Sequence, residues 1–170
     1  MPHGADVFTE FAAARSGKLF RTAWLLTGDW HLAQDLVQET LGKMYAKWRR
    51  MSGVQDPAAY AHTVLVRTFI SHRRRRSSSE RPTERMPERP ATVDDADLRL
   101  TLLDGLAKLG KTDRAVLVLR YWEDRSVEAT ANEMGISPGA VKSRSFRALE
   151  RLRVVLADTD DELSAIGSDT

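Results

Sequence analysis

The stretch from Ser126 to Arg153 most constrains what this chain can fold into, because it has the pattern of a helix, a tight turn and a second helix. Ser126 is a suitable N-cap, since its hydroxyl can accept a hydrogen bond from a backbone N–H of the first turn. Gly135 can end the first helix in the left-handed conformation, which glycine adopts without steric cost. Ser137 and Pro138 then provide a cap and a first residue for the second helix. This order of residues predicts a helix-turn-helix.

The second predicted helix is strongly basic, which favours DNA as its ligand. Residues 138–153 contain five basic residues and one acidic residue, Glu150. Helical spacing turns Val141 inward and places Lys142 and Arg147 on the other side. The second helix of a helix-turn-helix enters the major groove of DNA, so the pattern predicts a DNA-binding module. The alternative is a surface helical hairpin in some other all-α protein.

The composition limits the other classes of function. The chain has 26 lysines and arginines and 24 aspartates and glutamates, so its formal net charge is only +2 and DNA affinity must come from local patches. Cysteine is absent, which excludes disulfides and thiolate metal sites and is typical of a reducing cytosol. The N-terminal residues lack the apolar core of a signal peptide, and no run approaches the ~20 apolar residues of a membrane span. We therefore expect a soluble, cytoplasmic protein without membrane insertion.

Helical periodicity also covers the first part of the chain. Apolar residues follow helical spacing over residues 8–26 and again over residues 30–50. Asp35, Gln38 and Glu39 lie on the outer side of the second of these helices, spaced so that they adjoin on its surface. Periodicity alone favours an ordinary solvated face for these three side chains.

A third helix is predicted to begin at Asp56 and Pro57, as cap and first residue, and to end in the arginines 73–76. Its outer face carries Arg67 and Ile70. An exposed isoleucine between arginines suits a surface that meets bases as well as phosphates. The alternative is a basic helix end that only complements the helix dipole.

The polar stretch 77–95 divides the chain in two. It contains three prolines and mixed charges, and is predicted to be a flexible linker. Beyond it, Thr112 is expected to cap a helix whose apolar run 115–122 lies at the centre of a second core. The acidic C-terminal end is expected to be mostly disordered. The prediction is an all-α fold with one small helical domain at 1–76, the linker, a helix-turn-helix domain at 96–157 and an acidic tail at 158–170.

Motifs in both halves resemble one known family. LLTGD (25–29) and AQDLVQET (33–40) resemble conserved region two of the extracytoplasmic-function (ECF) sigma factors of bacterial RNA polymerase. LRYW (119–122), GAVKSR (139–144) and ALERLR (148–153) resemble their region four. The motifs occur in the family's order, and the resemblance extends over nearly all of the two predicted domains.

The resemblance implies a protein that binds core RNA polymerase and directs promoter-specific transcription initiation. Region two would bind polymerase and would recognise and melt the minus-ten promoter element, and region four would read the minus-thirty-five element. The family commonly has an anti-sigma factor as a further partner. The resemblance implies no cofactor and no catalytic activity of the chain itself.

The resemblance also assigns roles to single residues. The implied contacts to core polymerase are Asp35, Leu36, Gln38 and Glu39. The implied DNA contacts of region two are Arg67, Ile70, Arg73 and Arg74. The implied DNA contacts of the helix-turn-helix are Ser137, Lys142, Ser143, Arg144, Phe146, Arg147 and Arg151. Of these, Lys142, Ser143 and Arg147 would lie nearest the bases, and Arg144 and Arg151 would contact phosphates.

Two positions leave alternatives open. Ser145-Phe146 replaces a pair whose first member is usually a buried leucine or threonine in this family. Phe146 can meet a thymine methyl group or pack against the first helix of the motif. Trp48 can stack on an unpaired base, but its inward periodicity favours packing in the core.

Two other functions compete with this interpretation. A stand-alone helix-turn-helix transcriptional regulator needs no polymerase, but it leaves the segment 35–39 unexplained. An enzyme with a metal held by His31, Asp35 and Glu39 is the second alternative. Three exposed polar residues on a helix are far more often plain surface, and no motif of metal, phosphate or nucleophile chemistry accompanies them.

Overall fold

The computed structural model describes the backbone of residues 4–72 and 93–167 and the side chains of residues 4–72 and 100–158. Every regular element within these ranges is a helix, which confirms the predicted all-α fold. Most of the predicted linker lies outside the described residues. Its last three residues belong to a helix that begins at Val93, so helical structure resumes slightly earlier than predicted.

The chain divides into two compact units, Met1–Glu84 and Arg85–Thr170. The helices of the first unit are α1 (Gly4–Thr27), α2 (Trp30–Lys47) and α3 (Pro57–Ser71), with a 3₁₀ turn at Trp48–Arg50. All three helices pack against one another. The side chains at the centre of this packing are Leu19, Ala23, Leu26, Leu36, Met44, Leu65 and Val66.

Aspartate caps fix where α2 and α3 begin. The Asp29 carboxylate accepts a hydrogen bond from the backbone N–H of Leu32 at 2.8 Å. The Asp56 carboxylate accepts one from the N–H of Ala59 at 3.0 Å, which confirms the cap predicted from the sequence. Between α1 and α2 the chain turns at Gly28, whose φ of +68° favours glycine. These turns position the helices that carry the predicted polymerase and DNA contacts.

The described part of the second unit contains four helices. They are α4 (Val93–Ala107), α5 (Lys111–Leu117), α6 (Val127–Met134) and α7 (Pro138–Gly167), with a π-helical turn at Val118–Trp122. α7 packs against α4, α5 and α6. The core side chains of the second unit are Leu106, Leu109, Ala115, Val116, Leu119, Ala131, Val141 and Ala148.

The apolar run of the second unit differs from the prediction in two respects. α5 begins after Gly110, whose carbonyl accepts from the N–H of Arg114 at 2.9 Å, so Thr112 lies inside the helix and does not cap it. Residues 115–119 are buried as predicted, but Tyr121 and Trp122 are 57% and 52% exposed. The wider π-helical turn explains this exposure, because it rotates the last residues of the run away from the core.

The acidic tail also differs from the prediction. α7 continues to Gly167, through most of the segment that was expected to be disordered. No glycine or proline interrupts residues 140–166, so nothing in the sequence breaks a helix that is already nucleated by packing.

Candidate nucleic-acid interface and polymerase patch

The helix-turn-helix has the capped geometry that the sequence predicts. The Ser126 hydroxyl accepts from the N–H of Ala129 at 3.0 Å, at the start of α6. Gly135 ends α6 in the left-handed conformation, with φ 66° and ψ 36°. The exposed Ser137 then caps α7, because its hydroxyl oxygen accepts from the N–H of Ala140 at 3.1 Å. The turn between the two helices is therefore defined by hydrogen bonds at each end.

A small apolar core holds α6 and α7 together. Val116 of α5, Ala131 of α6 and Val141 of α7 are buried against one another. Further apolar side chains of α6 and the turn pack against them, namely Val127, Met134 and Ile136. With its inner face covered in this way, α7 presents its other face to solvent.

The outer face of α7 carries the predicted base contacts. Lys142, Ser143, Phe146 and Arg147 are all exposed. The Phe146 side chain is 68% exposed, which excludes the alternative that it packs against the first helix of the motif. Ser145 is the buried member of its pair, as the resemblance implied. Phe146 lies four positions after Lys142, and Arg147 lies four positions after Ser143, so the four exposed residues adjoin and form a single patch, which we call the α7 face.

The two predicted phosphate contacts share an acidic partner. Arg144 Nη1 donates to Asp113 Oδ1 at 2.8 Å. Arg151 Nη1 lies 3.7 Å from Asp113 Oδ2, the second oxygen of the same carboxylate. The Asp113 side chain is 15% exposed, whereas those of Arg144 and Arg151 are 36% and 66% exposed. Asp113 of α5 therefore orients both guanidinium groups, which remain accessible at the surface.

The predicted polymerase contacts separate into three kinds. Asp35 and Gln38 are exposed on α2 and free to meet a partner surface. Glu39 is half-buried. Leu36 is only 2% exposed and belongs to the core between the helices, so its role as a contact residue is corrected to packing beneath the patch. Its burial follows from helical spacing, which puts it on the same side as Ala33 and Thr40.

Glu39 links α2 to the end of α3. Its carboxylate lies 2.8 Å from Lys43 Nζ and 2.6 Å from His72 Nε2. Lys43 also donates to the Thr68 hydroxyl of α3 at 3.0 Å. The hydrogen bond from Lys43 lowers the pKa of Glu39, partial burial opposes that change, and the nearby His72 adds to the lowering. No sequence pattern indicates the contact between Glu39 and His72, because these residues are 33 positions apart.

The DNA contacts predicted on region two are only partly described. Arg67 is exposed on α3, as predicted. Ile70 is half-buried, whereas the sequence predicted an exposed residue. It lies next to Phe69, which packs into the core with the rest of the inner face of α3. Arg73 and Arg74 lie outside the described residues.

Trp48 packs in an aromatic cluster. Its ring centroid lies 5.1 Å from that of Phe8 and 5.0 Å from that of Phe11. Tyr45 joins the cluster, 5.1 Å from Phe8, and remains 57% exposed. These contacts favour the packing role of Trp48 over stacking on a base.

The structure does not support the metal-binding alternative. Among the described residues there is no group of three or more histidine, cysteine, aspartate or glutamate side chains that could hold a metal ion. Glu39, one of the three proposed ligands, is paired with Lys43 and His72.

Among the residues that the structure describes, no helix has the length and apolar character to cross a membrane.

The described residues define a class of protein, an all-α protein with a helix-turn-helix unit preceded in the chain by a separate helical unit. Comparison with known families specifies the class. Residues 12–79 match the family described as Sigma-70 region 2, and residues 105–154 match Sigma-70, region 4.

Individual relatives agree with the two family matches. The RNA polymerase sigma-E factor of Streptomyces coelicolor is 40% identical over 162 residues, which cover 94% of this chain and 91% of that protein. The ECF RNA polymerase sigma factor SigL of Mycobacterium tuberculosis is 35% identical over 147 residues, 82% of this chain and 83% of that protein. The chain belongs to the ECF sigma factors of bacterial RNA polymerase.

A solved structure shows the same fold. The sigma factor RpoE of Bartonella quintana, crystallised with the anti-sigma factor NepR, superposes with a TM-score of 0.72 at 26% identity, covering 88% of this chain and 96% of that one. As a sigma factor, the protein binds core RNA polymerase and promoter DNA and directs promoter-specific transcription initiation. None of these similarities supports the alternative of a stand-alone regulator.

Proposed function

We propose that the two units divide the work of initiation, with α2 binding core polymerase, α3 acting on the minus-ten element and α7 reading the minus-thirty-five element. The observation that carries this proposal is the α7 face, an exposed patch with two cations and a hydroxyl on a helix held by a capped turn. Such a patch supplies hydrogen-bond donors for base edges and positive charge for phosphates. The matches to region two and region four support the same division.

At the upstream element, Lys142, Ser143 and Arg147 contact base edges. They are exposed within the first three turns of α7, the end of a recognition helix that lies deepest in the major groove. Arg144 and Arg151 contact phosphates, since they flank the same face and Asp113 already fixes their direction. Ser137 lies at the N-terminus of the helix, where backbone N–H groups also favour a phosphate.

Core polymerase is bound chiefly by Asp35 and Gln38. Both side chains are exposed and lie one turn apart on α2. Glu39 adjoins them and adds negative charge, but it has a second role in fixing α2 against α3. Its carboxylate pairs with Lys43 of the same helix and contacts His72 at the end of α3, and Lys43 in turn donates to Thr68 of α3. A partner with basic side chains fits this surface.

The minus-ten element is recognised and melted by residues 47–55 and by α3. Lys47, Arg49 and Arg50 are exposed at this end of the first unit, and Arg67 is exposed on α3. Arg73 and Arg74 follow shortly after α3 in the sequence and lie outside the described residues. The positive charge attracts DNA, and Ile70 adds an apolar contact.

An anti-sigma factor is a further partner. The relative from Bartonella quintana was crystallised with one, at a similarity that spans most of both chains. We place the protein in the cytoplasm, where RNA polymerase acts. The chain itself catalyses no reaction, because synthesis of RNA is the chemistry of the core enzyme.

Run-off transcription tests the proposal. Core polymerase alone and core polymerase with the chain are compared on a genomic promoter library, and permanganate detects unpaired thymines near the start site. We expect specific transcripts and an opened stretch only when both proteins are present. Tight binding of the chain alone to one duplex site, unchanged by core enzyme, would contradict the proposal.

A further inference from the structure

The Phe146 side chain lies largely in solvent. At 68%, it has the largest exposed fraction among the large apolar residues of the described part of the chain. Val141, Ser145 and Ala148 of the same helix are buried and form its inner face, so Phe146 is not part of that face. Packing within the unit does not require Phe146 at this position.

The surroundings of the ring indicate the kind of surface that covers it. Lys142 precedes Phe146 by one helical turn, and Arg147 follows it directly. Both are exposed, so the ring lies within a positively charged patch. An occupant must therefore combine negative charge with a small apolar group. The major groove of DNA does so, because phosphates line its edges and the C5-methyl group of thymine is the apolar feature of its base edges.

We propose that Phe146 contacts the C5-methyl group of a thymine in the upstream promoter element and makes the protein select thymine at that position. This inference rests on the proposed function of α7 as the helix that reads this element. It adds an apolar contact to the hydrogen bonds of Lys142, Ser143 and Arg147. The contact recognises the methyl group alone and not the hydrogen-bonding edge of the base.

Deoxyuridine provides the test, because it differs from thymidine only by the missing methyl group. A promoter recovered by run-off transcription is synthesised with each thymine of its upstream half replaced singly by deoxyuridine. Binding of the holoenzyme is measured with the wild-type chain and with Phe146→Ala. One buried carbon contributes ~0.8 kcal/mol, so one replacement should weaken wild-type binding about fourfold.

The variants separate the ring from other effects. Phe146→Ala should bind the thymine and deoxyuridine forms of that site equally. Phe146→Leu should keep part of the discrimination, because leucine retains an apolar surface. Val154→Ala is the matched control, since Val154 is a 60% exposed apolar residue of the same helix, and it should discriminate as the wild type does. Circular dichroism checks that every variant is folded.

Each other outcome has a distinct meaning. If scrambling the upstream element has no effect on the wild-type holoenzyme, the proposed function of α7 fails. If scrambling weakens binding but every deoxyuridine is tolerated, that function stands and the thymine contact is overturned. The thymine contact is also overturned if Phe146→Ala binds both the thymine and the deoxyuridine form more weakly than the wild type does, by the same factor, or if it loses core polymerase binding. The ring would then contact the DNA backbone or a protein.

Discussion

Arg144 of α7 donates to Asp113 of α5 at 2.8 Å, across 31 positions of the chain. The second oxygen of this carboxylate lies 3.7 Å from Arg151, two turns further along α7. One acidic side chain thus faces two arginines of α7 and orients them. In the proposed function of α7 it also competes with phosphates for them.

Replacing Asp113 should therefore strengthen non-specific DNA binding. Asp113→Asn keeps an oxygen that can accept from Arg144 but removes the charge. Unit charges about 4 Å apart in water interact by ~1 kcal/mol, so we expect roughly fivefold tighter binding to random duplex at low salt. The plot of the logarithm of the binding constant against the logarithm of the salt concentration should become steeper by about one unit, because a further phosphate contact forms. Fluorescence anisotropy in a salt series measures both.

Asp104→Asn is the control for this change. It removes the same charge from an exposed position of α4 in the same unit. An equal gain in affinity for both variants would mean that the net charge of the unit, and not the pairing of Asp113, sets the binding.

The sequence predicted the helices and caps of this interface but not the side-chain contacts between the helices. Ser126, Gly135 and Ser137 could be assigned from local rules, because caps and left-handed turns depend on residues three or four positions apart. Asp113 could not, because no pattern relates it to Arg144 before the fold brings α5 and α7 together. The same holds for the pairing of Glu39 with His72, which depends on the packing of α2 against α3.

Protonation of Glu39 should make the first unit less stable in acid. Folding lowers the pKa of this carboxyl from 4.5, so the folded state favours the carboxylate. Its contribution is then complete above pH 4.5 and lost as the pH falls through the lower pKa of the folded state. Because the Glu39 side chain is 38% exposed and solvent screens its contacts, we expect a loss within about 0.5 kcal/mol.

Urea unfolding at several pH values measures this contribution. Three of the four tryptophans, Trp24, Trp30 and Trp48, lie in the first unit and report its unfolding by fluorescence. Glu39→Gln should be less stable than the wild type at pH 7, and the difference should shrink below pH 4.5. Glu10→Gln, at an exposed position of α1, should show no such difference. A constant deficit of Glu39→Gln at every pH would contradict the role of the charge.

Asp35 and Gln38 should act on polymerase and not on folding. Both are exposed, and exposed substitutions change the free energy of unfolding by within about 0.5 kcal/mol. The double variant Asp35→Ala, Gln38→Ala should keep the melting temperature of the wild type but fail to co-purify with core polymerase. Glu10→Ala serves as the control. If co-purification is undiminished, the two residues do not bind polymerase and belong to an ordinary solvated surface.

Ser145 should be replaceable by alanine with a gain in stability. Its side chain is buried in α7, and its hydroxyl oxygen has no hydrogen-bond partner among the residues that the structure describes. A buried polar group without a partner costs about 1–3 kcal/mol, and Ser145→Ala removes that group without leaving a large cavity. Ser143→Ala is the matched control, because it makes the same change at an exposed position of the same helix, where the hydroxyl donates to the Ala140 carbonyl at 3.2 Å. We expect the melting temperature to rise by several degrees in Ser145→Ala and to change little in Ser143→Ala. If Ser145→Ala is the less stable of the two, its hydroxyl makes a contact in solution, and the buried face of α7 needs that polar group.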